Sequence, residues 1–423
     1  MSHSLSTPSI PLPAAPADLA RRPIELASLL LYAPLFSATL LAKVSVPPFS
    51  QLGLGIAFLF IFLAVGLGML LGRMRFEGRR TALFLLLIGF FGSLLAVRGE
   101  PFSFSSLALL IALHAAYMFQ IPRAGDNTGR ALATFLDLAG FLAWCGIAQF
   151  FLQFVVPAEW VFPIENFLPA AFRVELFNSQ GPLSYGSSIY RANGVFLLEP
   201  SFFSQLLAVA IVTELCTRNR LSRFPLYGLA LLVSYSGTGL MVLALCLPLM
   251  VILWQRWDLL LVGALALLLL MAFGEALNLD LFAKRANEFG ATGSSAFARF
   301  VGGFYLFDQF LWHDTWRTLF GFGPGTYKFY AAQALYPASE MPLFKMVLEF
   351  GLVGSALYFG FLYYCVFASA APPLVRLAIG MTFLLNGNYV PFMHGLALSL
   401  LVWTSPAAPA PGGRDPNTVF AHS

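Results

Sequence analysis

Long apolar runs separated by short polar breaks recur along almost the whole chain. Measured against the roughly 20 apolar residues a helix needs to cross a hydrocarbon core, they predict spans at 24–46, 49–71, 81–97, 104–121, 131–156, 194–216, 224–236, 238–254, 258–276, 342–368, 374–387 and 389–404. That makes about twelve transmembrane helices, two or three of them short. The stretch 224–254 is too long for one helix, and Ser234-Tyr235-Ser236-Gly237-Thr238-Gly239 divides it. Asn386-Gly387-Asn388 divides the last stretch in the same way, leaving a short penultimate helix or a re-entrant segment. Two longer segments stand apart from the apolar runs, 157–193 and 277–341. The first carries Trp160, Phe162, Phe167, Phe172 and Phe177 among Pro157, Pro163 and Pro169, which suits short interfacial helices lying on a membrane surface. No internal repeat or linker separates a second unit, so 24–404 reads as a single all-α polytopic membrane domain. Residues 1–23, rich in Ser, Pro and Ala and without a cleavage site, read as a disordered cytoplasmic tail, and 405–423 reads the same way.

Composition strengthens this picture. Of 423 residues 59% are hydrophobic, and 24 Lys and Arg with 20 Asp and Glu make about a tenth charged, where a soluble domain carries roughly a quarter. A soluble protein and a disordered chain are both excluded. The formal charge of +4 is too small to imply a nucleic-acid partner, but its distribution is informative. With a cytoplasmic N-terminus and twelve spans, fourteen of the 24 basic residues fall inside, and the short outer loops keep only Arg98. This is the bias of the positive-inside rule, and it puts 157–193 and 277–341 on the outer face. Cys145, Cys216, Cys246 and Cys365 lie inside apolar runs without a C-x-x-C spacing and read as packing residues.

Polar residues in or at the mouth of a helical bundle cost free energy and are default functional candidates. The strongest cluster is Tyr190-Arg191-Ala192-Asn193-Gly194-Val195-Phe196-Leu197-Leu198-Glu199-Pro200-Ser201. Read as the start of a span, it sets Arg191 at the outer entrance and Glu199-Pro200 further in, with Pro200 freeing a carbonyl one turn earlier. The competing reading makes Arg191 a headgroup anchor with Glu199 as its partner. The second cluster is Arg299, then Trp312-His313-Asp314-Thr315-Trp316-Arg317, then Gly321-Phe322-Gly323-Pro324-Gly325. Arginine suits bidentate binding of phosphate oxygens, and a glycine-rich turn can aim backbone N–H groups at an anion, although such a turn is more often a plain one. Without the Lys-Ser/Thr ending of a P-loop it does not read as a nucleotide site. His313 is a candidate base, yet on one straight helix it would stand about 21 Å from Arg299. Only a break at Gly302-Gly303 would bring them closer. Glu340, where the large loop re-enters the membrane, is the better placed acid or base, with a helix N-terminal carboxylate as its alternative.

Lys43, Glu214 and Asp258 lie near span ends, where snorkelling is usual. His114, Asp137, Glu349 and His394 lie deeper, where burial with a hydrogen-bond partner is the ordinary explanation. No His-Glu-x-x-His, Asp-x-Asp or clustered His/Cys set offers ligands, so neither a metal nor another cofactor is expected.

Arg191-x-x-Gly194-x-Phe196 with Glu199-Pro200-Ser201, then Ser234-Tyr235-Ser236-Gly237-Thr238, Arg299, Leu319-Phe320-Gly321-Phe322-Gly323-Pro324-Gly325 and Glu349-Phe350-Gly351-Leu352-Val353-Gly354 follow one another from about 130 to 370. In that order the chain resembles the O-antigen polymerase and ligase family. The resemblance implies a GT-C-like integral membrane glycosyltransferase of the bacterial inner membrane, with one large periplasmic loop. Its donor would be an undecaprenyl-diphosphate-linked oligosaccharide, and membrane lipid, a chain-length regulator and a flippase are candidate partners. Carried onto this chain, Arg191 and Arg299 would grip the diphosphate, whose charge develops as the sugar–phosphate bond breaks, with Tyr190, Arg317 and Lys328 as further substrate contacts. Glu340, Glu199 and His313 are the acid–base candidates. Ligases of the family commonly end the loop in a His-Asn pair, where this chain has Glu340-Met341, and show Pro-Asn where this chain has Glu199-Pro200-Ser201. Both departures favour an exopolysaccharide repeat-unit polymerase over a ligase acting on a lipid or protein acceptor. A transporter or flippase of the same substrates is the competing class.

Overall fold

A computed structural model describes residues 26–97, 102–122, 127–184, 186–261, 263, 264, 268, 288–386 and 390–404. Its helices are α1 (Leu26–Leu40), α2 (Ala57–Leu70), α3 (Gly78–Val97), α4 (Phe104–Ala115), α5 (Thr128–Leu152), α6 (Ala158–Val161), α7 (Pro163–Phe167), α8 (Pro200–Cys216), α9 (Arg223–Ser234), α10 (Gly237–Trp254), α11 (Ser295–Phe300), α12 (Gly302–Phe310), α13 (Thr315–Phe320), α14 (Tyr327–Gln333), α15 (Pro342–Phe367), α16 (Pro373–Leu385) and α17 (Pro391–Ala397), which runs on into a π turn. A two-residue antiparallel pair, Arg75–Phe76 with Phe119–Gln120, is the sheet among the described residues.

Helices occupy eleven of the twelve apolar runs, and the run 258–276 lies largely outside the described residues. By length and composition α3, α5, α10 and α15 are long and apolar enough to cross a membrane, and the other apolar helices are shorter. Their outer faces carry Leu85, Leu86, Trp144, Ile252 and Leu253, all more than half exposed, as expected where lipid replaces water as the neighbour. The fold is therefore mostly helical and of membrane-embedded type.

At the centre stands α8, apolar on nearly every face and buried on nearly every face, as such a helix must be. It packs against α5, α9, α10 and α16. The break at Ser234 is real: Tyr235 takes a left-handed conformation at φ 43° and α10 begins at Gly237. There Ser204, Ser236 and Thr238 form a buried hydroxyl network, with the Thr238 hydroxyl donating to the Ser201 carbonyl at 3.0 Å. Small residues at this crossing let α8 and α10 approach closely.

Two expectations need correction. The run 194–216 does not begin as helix, because Gly194 and Val195 both have positive φ (71° and 69°) and Pro200 occupies the first helical position of α8, where its missing N–H costs nothing. Pro200 therefore starts a helix and does not kink one, and Arg191 and Glu199 stand on a loop. Nor does Lys43 snorkel: α1 ends at Leu40, and Lys43 is 4% exposed and paired with Glu165. The 157–193 segment contains the expected short helices, with Trp160, Phe167 and Phe172 exposed but Phe162 buried. It docks on the chain after α1 through Ser45 N–H to Phe172 O (2.8 Å) and Val174 N–H to Lys43 O (2.9 Å).

The described part of the 277–341 segment has a small apolar core of its own. Leu306, Phe307, Leu311, Phe322 and Tyr327 pack on Phe344, Val347 and Leu348 of α15. The chain does break near Gly302, with α11 ending at Phe300 and α12 starting at Gly302.

Candidate functional site

Two amides, buried Gln149 and half-buried Gln153, hold the Arg191 loop. Gln149, on the last turn of α5, accepts the N–H of Asn193 (2.9 Å) and of Val195 (3.2 Å), and its own amide donates to Asn193 Oδ1 at 3.0 Å. One turn on, Gln153 accepts the Tyr190 N–H at 2.7 Å and donates to the Tyr190 carbonyl at 3.2 Å. The β-branched Val195 at φ 69° is a strained conformation that persists only where its surroundings impose it. Here they do, because Gln149 and Asn193 take its N–H while the Lys43 ammonium donates to its carbonyl. Strain held from both sides marks this as a specified loop.

Arg191 is half-buried on that loop, and its N–H donates to the Gly181 carbonyl at 3.0 Å. Its guanidinium lies against Gly181, so close that a Cβ there would sit 2.5 Å from Nη2. Tyr190 turns its ring toward Phe162, with centroids 5.3 Å apart.

The Glu199 carboxylate joins the 157–193 and 277–341 segments. It accepts the Asn178 N–H (3.3 Å) and the Ser201 hydroxyl (3.0 Å), and pairs with Arg299 of α11 at 3.2 Å, across 100 residues of sequence. The Arg299 side chain is 29% exposed. The Ser294 hydroxyl caps α11 by accepting the Phe297 N–H at 3.0 Å, and the Ser339 N–H donates to the Ala298 carbonyl at 2.8 Å. That backbone bond brings Arg299 and Glu340 to neighbouring positions.

Glu340 lies between two lysines, Lys345 at 3.1 Å and Lys328 at 3.7 Å, and Lys345 continues to Glu349 at 3.0 Å. Lys328 is largely exposed. Beside them burial and the Glu340 charge push the Tyr327 phenol above its ordinary range, so it remains a donor, and it donates to the Ser339 carbonyl at 2.7 Å.

The glycine-rich turn serves a different end from anion capture. At Gly351, α15 leaves helical geometry (φ 71°, ψ −175°), and the carbonyls freed before it accept the turn: Leu348 from Phe322 N–H at 2.8 Å, Glu349 from Gly323 N–H at 2.7 Å. The buried Glu349 carboxylate accepts the Tyr327 N–H at 3.3 Å. The donors of Phe322 and Gly323 are thus spent on α15, and that of Gly321 on the Arg317 carbonyl of α13 at 2.6 Å. Arg317 is engaged with Asp314 (3.3 Å) and sits 4.5 Å over the Phe322 ring, while Asp314 caps α13 through the Trp316 and Arg317 N–H groups. His313 is exposed in the turn before that cap, and no contact joins it to Arg299 among the described residues.

Gln149, Gln153, Lys43 and Glu165 were not singled out from the sequence as parts of this site. The two glutamines did carry a signal, amides four residues apart on an otherwise apolar run. No protein-family model, curated protein or solved structure matches the chain.

Proposed function

We propose that the protein is a polysaccharide polymerase that transfers a growing glycan from undecaprenyl diphosphate to the next lipid-linked repeat unit. In this reading about twelve spans, with both termini in the cytoplasm of a bacterium, place the 157–193 and 277–341 segments on the outer face of the inner membrane. The observation that carries it is the Glu199–Arg299 pair, which locks the two outer segments together beside the strained Arg191 loop. In this reading the partly exposed Arg299 side chain also contacts an anion, and Arg191 enters on a loop fixed by four hydrogen bonds between the Gln149 and Gln153 amides and backbone atoms of residues 190–195. Two fixed guanidinium groups are suited to a diphosphate leaving group, because they stabilise the charge that appears as the anomeric C–O bond breaks.

Glu340 is the candidate base for the acceptor hydroxyl, being one residue from the backbone bond that ties α11 to the α15 entrance. A ligase would use the same donor site, and the two differ in the acceptor. Arg191→Ala and Arg299→Ala, expressed in the native cell with membrane levels checked, test the reading. Loss of polymer with accumulation of single lipid-linked repeat units supports it. Long lipid-linked polymer in their place supports the ligase, and normal polymer from both variants overturns the site.

A further inference from the structure

The end of α5 away from the Arg191 loop meets an arginine cluster that the glycosyl-transfer reading does not use. Asp137 stands about 18 Å along α5 from Gln149, twelve residues at 1.5 Å each. Its place in an apolar run suggested burial, yet its side chain is 59% exposed, and one oxygen, Oδ1, takes both Arg218 (3.0 Å) and Arg223 (3.3 Å). The Arg223 guanidinium is seated against Gly140, where any Cβ would collide with Nη1.

The link from α8 to α9 that supplies these arginines has a specified shape. Buried Glu214 accepts the Arg220 N–H on its carboxylate at 3.0 Å and the Asn219 N–H on its carbonyl at 2.7 Å, and Asn219 takes a left-handed conformation at φ 48°. Arg256, just after α10, reaches Asn219 Oδ1 at 3.5 Å and pairs with Asp258 at 2.7 Å. The surface thus gathers Arg218, Arg220, Arg223 and Arg256 around Asp137 and Asp258. Even with buried Glu214 counted, the arginines outnumber these carboxylates, and Arg220 is exposed.

The neighbours of the cluster select its ligand. Phe141 and Trp144 follow Asp137 at i+4 and i+7, hence on the same face of α5, and both are exposed. Leu221 in the link and Trp257 beside Arg256 are exposed as well. A soluble anion would make no use of an apolar strip beside its site. A phospholipid uses both parts: its phosphate oxygens accept from the guanidinium groups, its acyl chain covers the strip, and tryptophan sits at headgroup level. A zwitterionic headgroup would bring an ammonium into a surplus of arginines, whereas an anionic one adds no cation.

We propose that Arg218, Arg220 and Arg223 bind the phosphate of an anionic phospholipid whose acyl chain lies along Phe141 and Trp144 of α5. This binding does not depend on what the Arg191 end of the bundle transfers.

The test is native mass spectrometry of the full-length protein in detergent, titrated with dioleoyl phosphatidylglycerol, phosphatidylethanolamine or phosphatidylcholine. Phosphatidylglycerol is expected to bind at least tenfold tighter than either zwitterionic lipid. One arginine near an anionic lipid is worth about fivefold in affinity. Arg220→Gln, which leaves both Asp137 pairs intact, should therefore weaken the first phosphatidylglycerol about fivefold, and Arg218→Gln combined with Arg223→Gln at least tenfold. Arg75→Gln removes the same charge from the exposed Arg75–Phe76 strand and should leave the affinity unchanged. Arg220→Gln keeps the test decisive where the double variant fails to fold. Equal affinity for the three lipids overturns the proposal, as does wild-type affinity in folded Arg220→Gln or an equal loss in Arg75→Gln. Tighter binding of phosphatidylethanolamine overturns the anionic assignment. Displacement of bound phosphatidylglycerol by millimolar inorganic phosphate makes the cluster a site for soluble anions and overturns the proposal too.

Discussion

Substituting Gly351 by alanine should cripple the 277–341 segment from a position inside a long helix. The residue sits at φ 71° and ψ −175°, a region that side-chain-bearing residues avoid, and a Cβ there would overlap the Leu319 carbonyl. Forcing such a conformation costs on the order of 1–3 kcal/mol. Overpacking adds roughly 1–3 kcal/mol, so the sum is about 2–6 kcal/mol against a total stability that for native domains is about 5–15 kcal/mol. The alternative, straightening α15 into regular helix, withdraws the Leu348 and Glu349 carbonyls from Phe322 and Gly323 and releases the turn. Gly360 provides the control. It lies in the same helix, nothing stands within 4 Å of the position its Cβ would take, and alanine there should be neutral or stabilise by up to about 1 kcal/mol. The assay is the fraction of detergent-solubilised protein that stays monodisperse after heating, measured for both variants beside the wild type. Equal retention of Gly351→Ala and Gly360→Ala would refute the kink-and-turn argument.

Three further outcomes follow from the same contacts. Gln149→Leu removes the acceptor shared by the buried Asn193 and Val195 N–H groups; a loss of about 1–3 kcal/mol is expected, visible as a lower unfolding temperature and faster proteolysis within 190–195. Lys43→Met leaves Glu165 buried without its cation and should cost about 3–5 kcal/mol, whereas Lys43→Met combined with Glu165→Leu should cost less than Lys43→Met alone, a coupling that thermal unfolding of the double-mutant cycle reads directly. Exchanging the charges of the half-buried pair, Glu199→Arg with Arg299→Glu, should recover folded membrane protein relative to either single change but no polymer; full polymer from the exchanged protein would make the pair a purely structural brace.

The helices were legible because each apolar run is a local signal, and the polar break at Ser234–Gly239 divided two of them where the structure divides them. The stretch 194–199 misled for an equally local reason: its apolar residues continue the hydrophobic pattern, while what stops a helix is a pair of positive-φ residues and a proline that begins the next one. Lys43 with Glu165, and Glu199 with Arg299, are pairings made by tertiary folding between distant segments, and nothing in either local sequence names its partner. The glycine-rich turn was legible as a turn but not as a dock for α15, since its partner is the broken helix at Gly351. Arg191 stood out as a cation at the entrance of an apolar run and Arg299 as one within the long 277–341 segment, whereas Gln149 and Gln153 passed as ordinary polar insertions in a long helix.

Reconstitution tests the central claim most directly. The purified protein is placed in proteoliposomes with undecaprenyl-diphosphate-linked repeat units extracted from the native cell, and the lipid-linked products are resolved by size. A ladder of longer glycans on the carrier, with release of undecaprenyl diphosphate and loss of both in Arg299→Ala, is the predicted result. Repeat units that stay single, or that merely cross the bilayer unchanged, would contradict it.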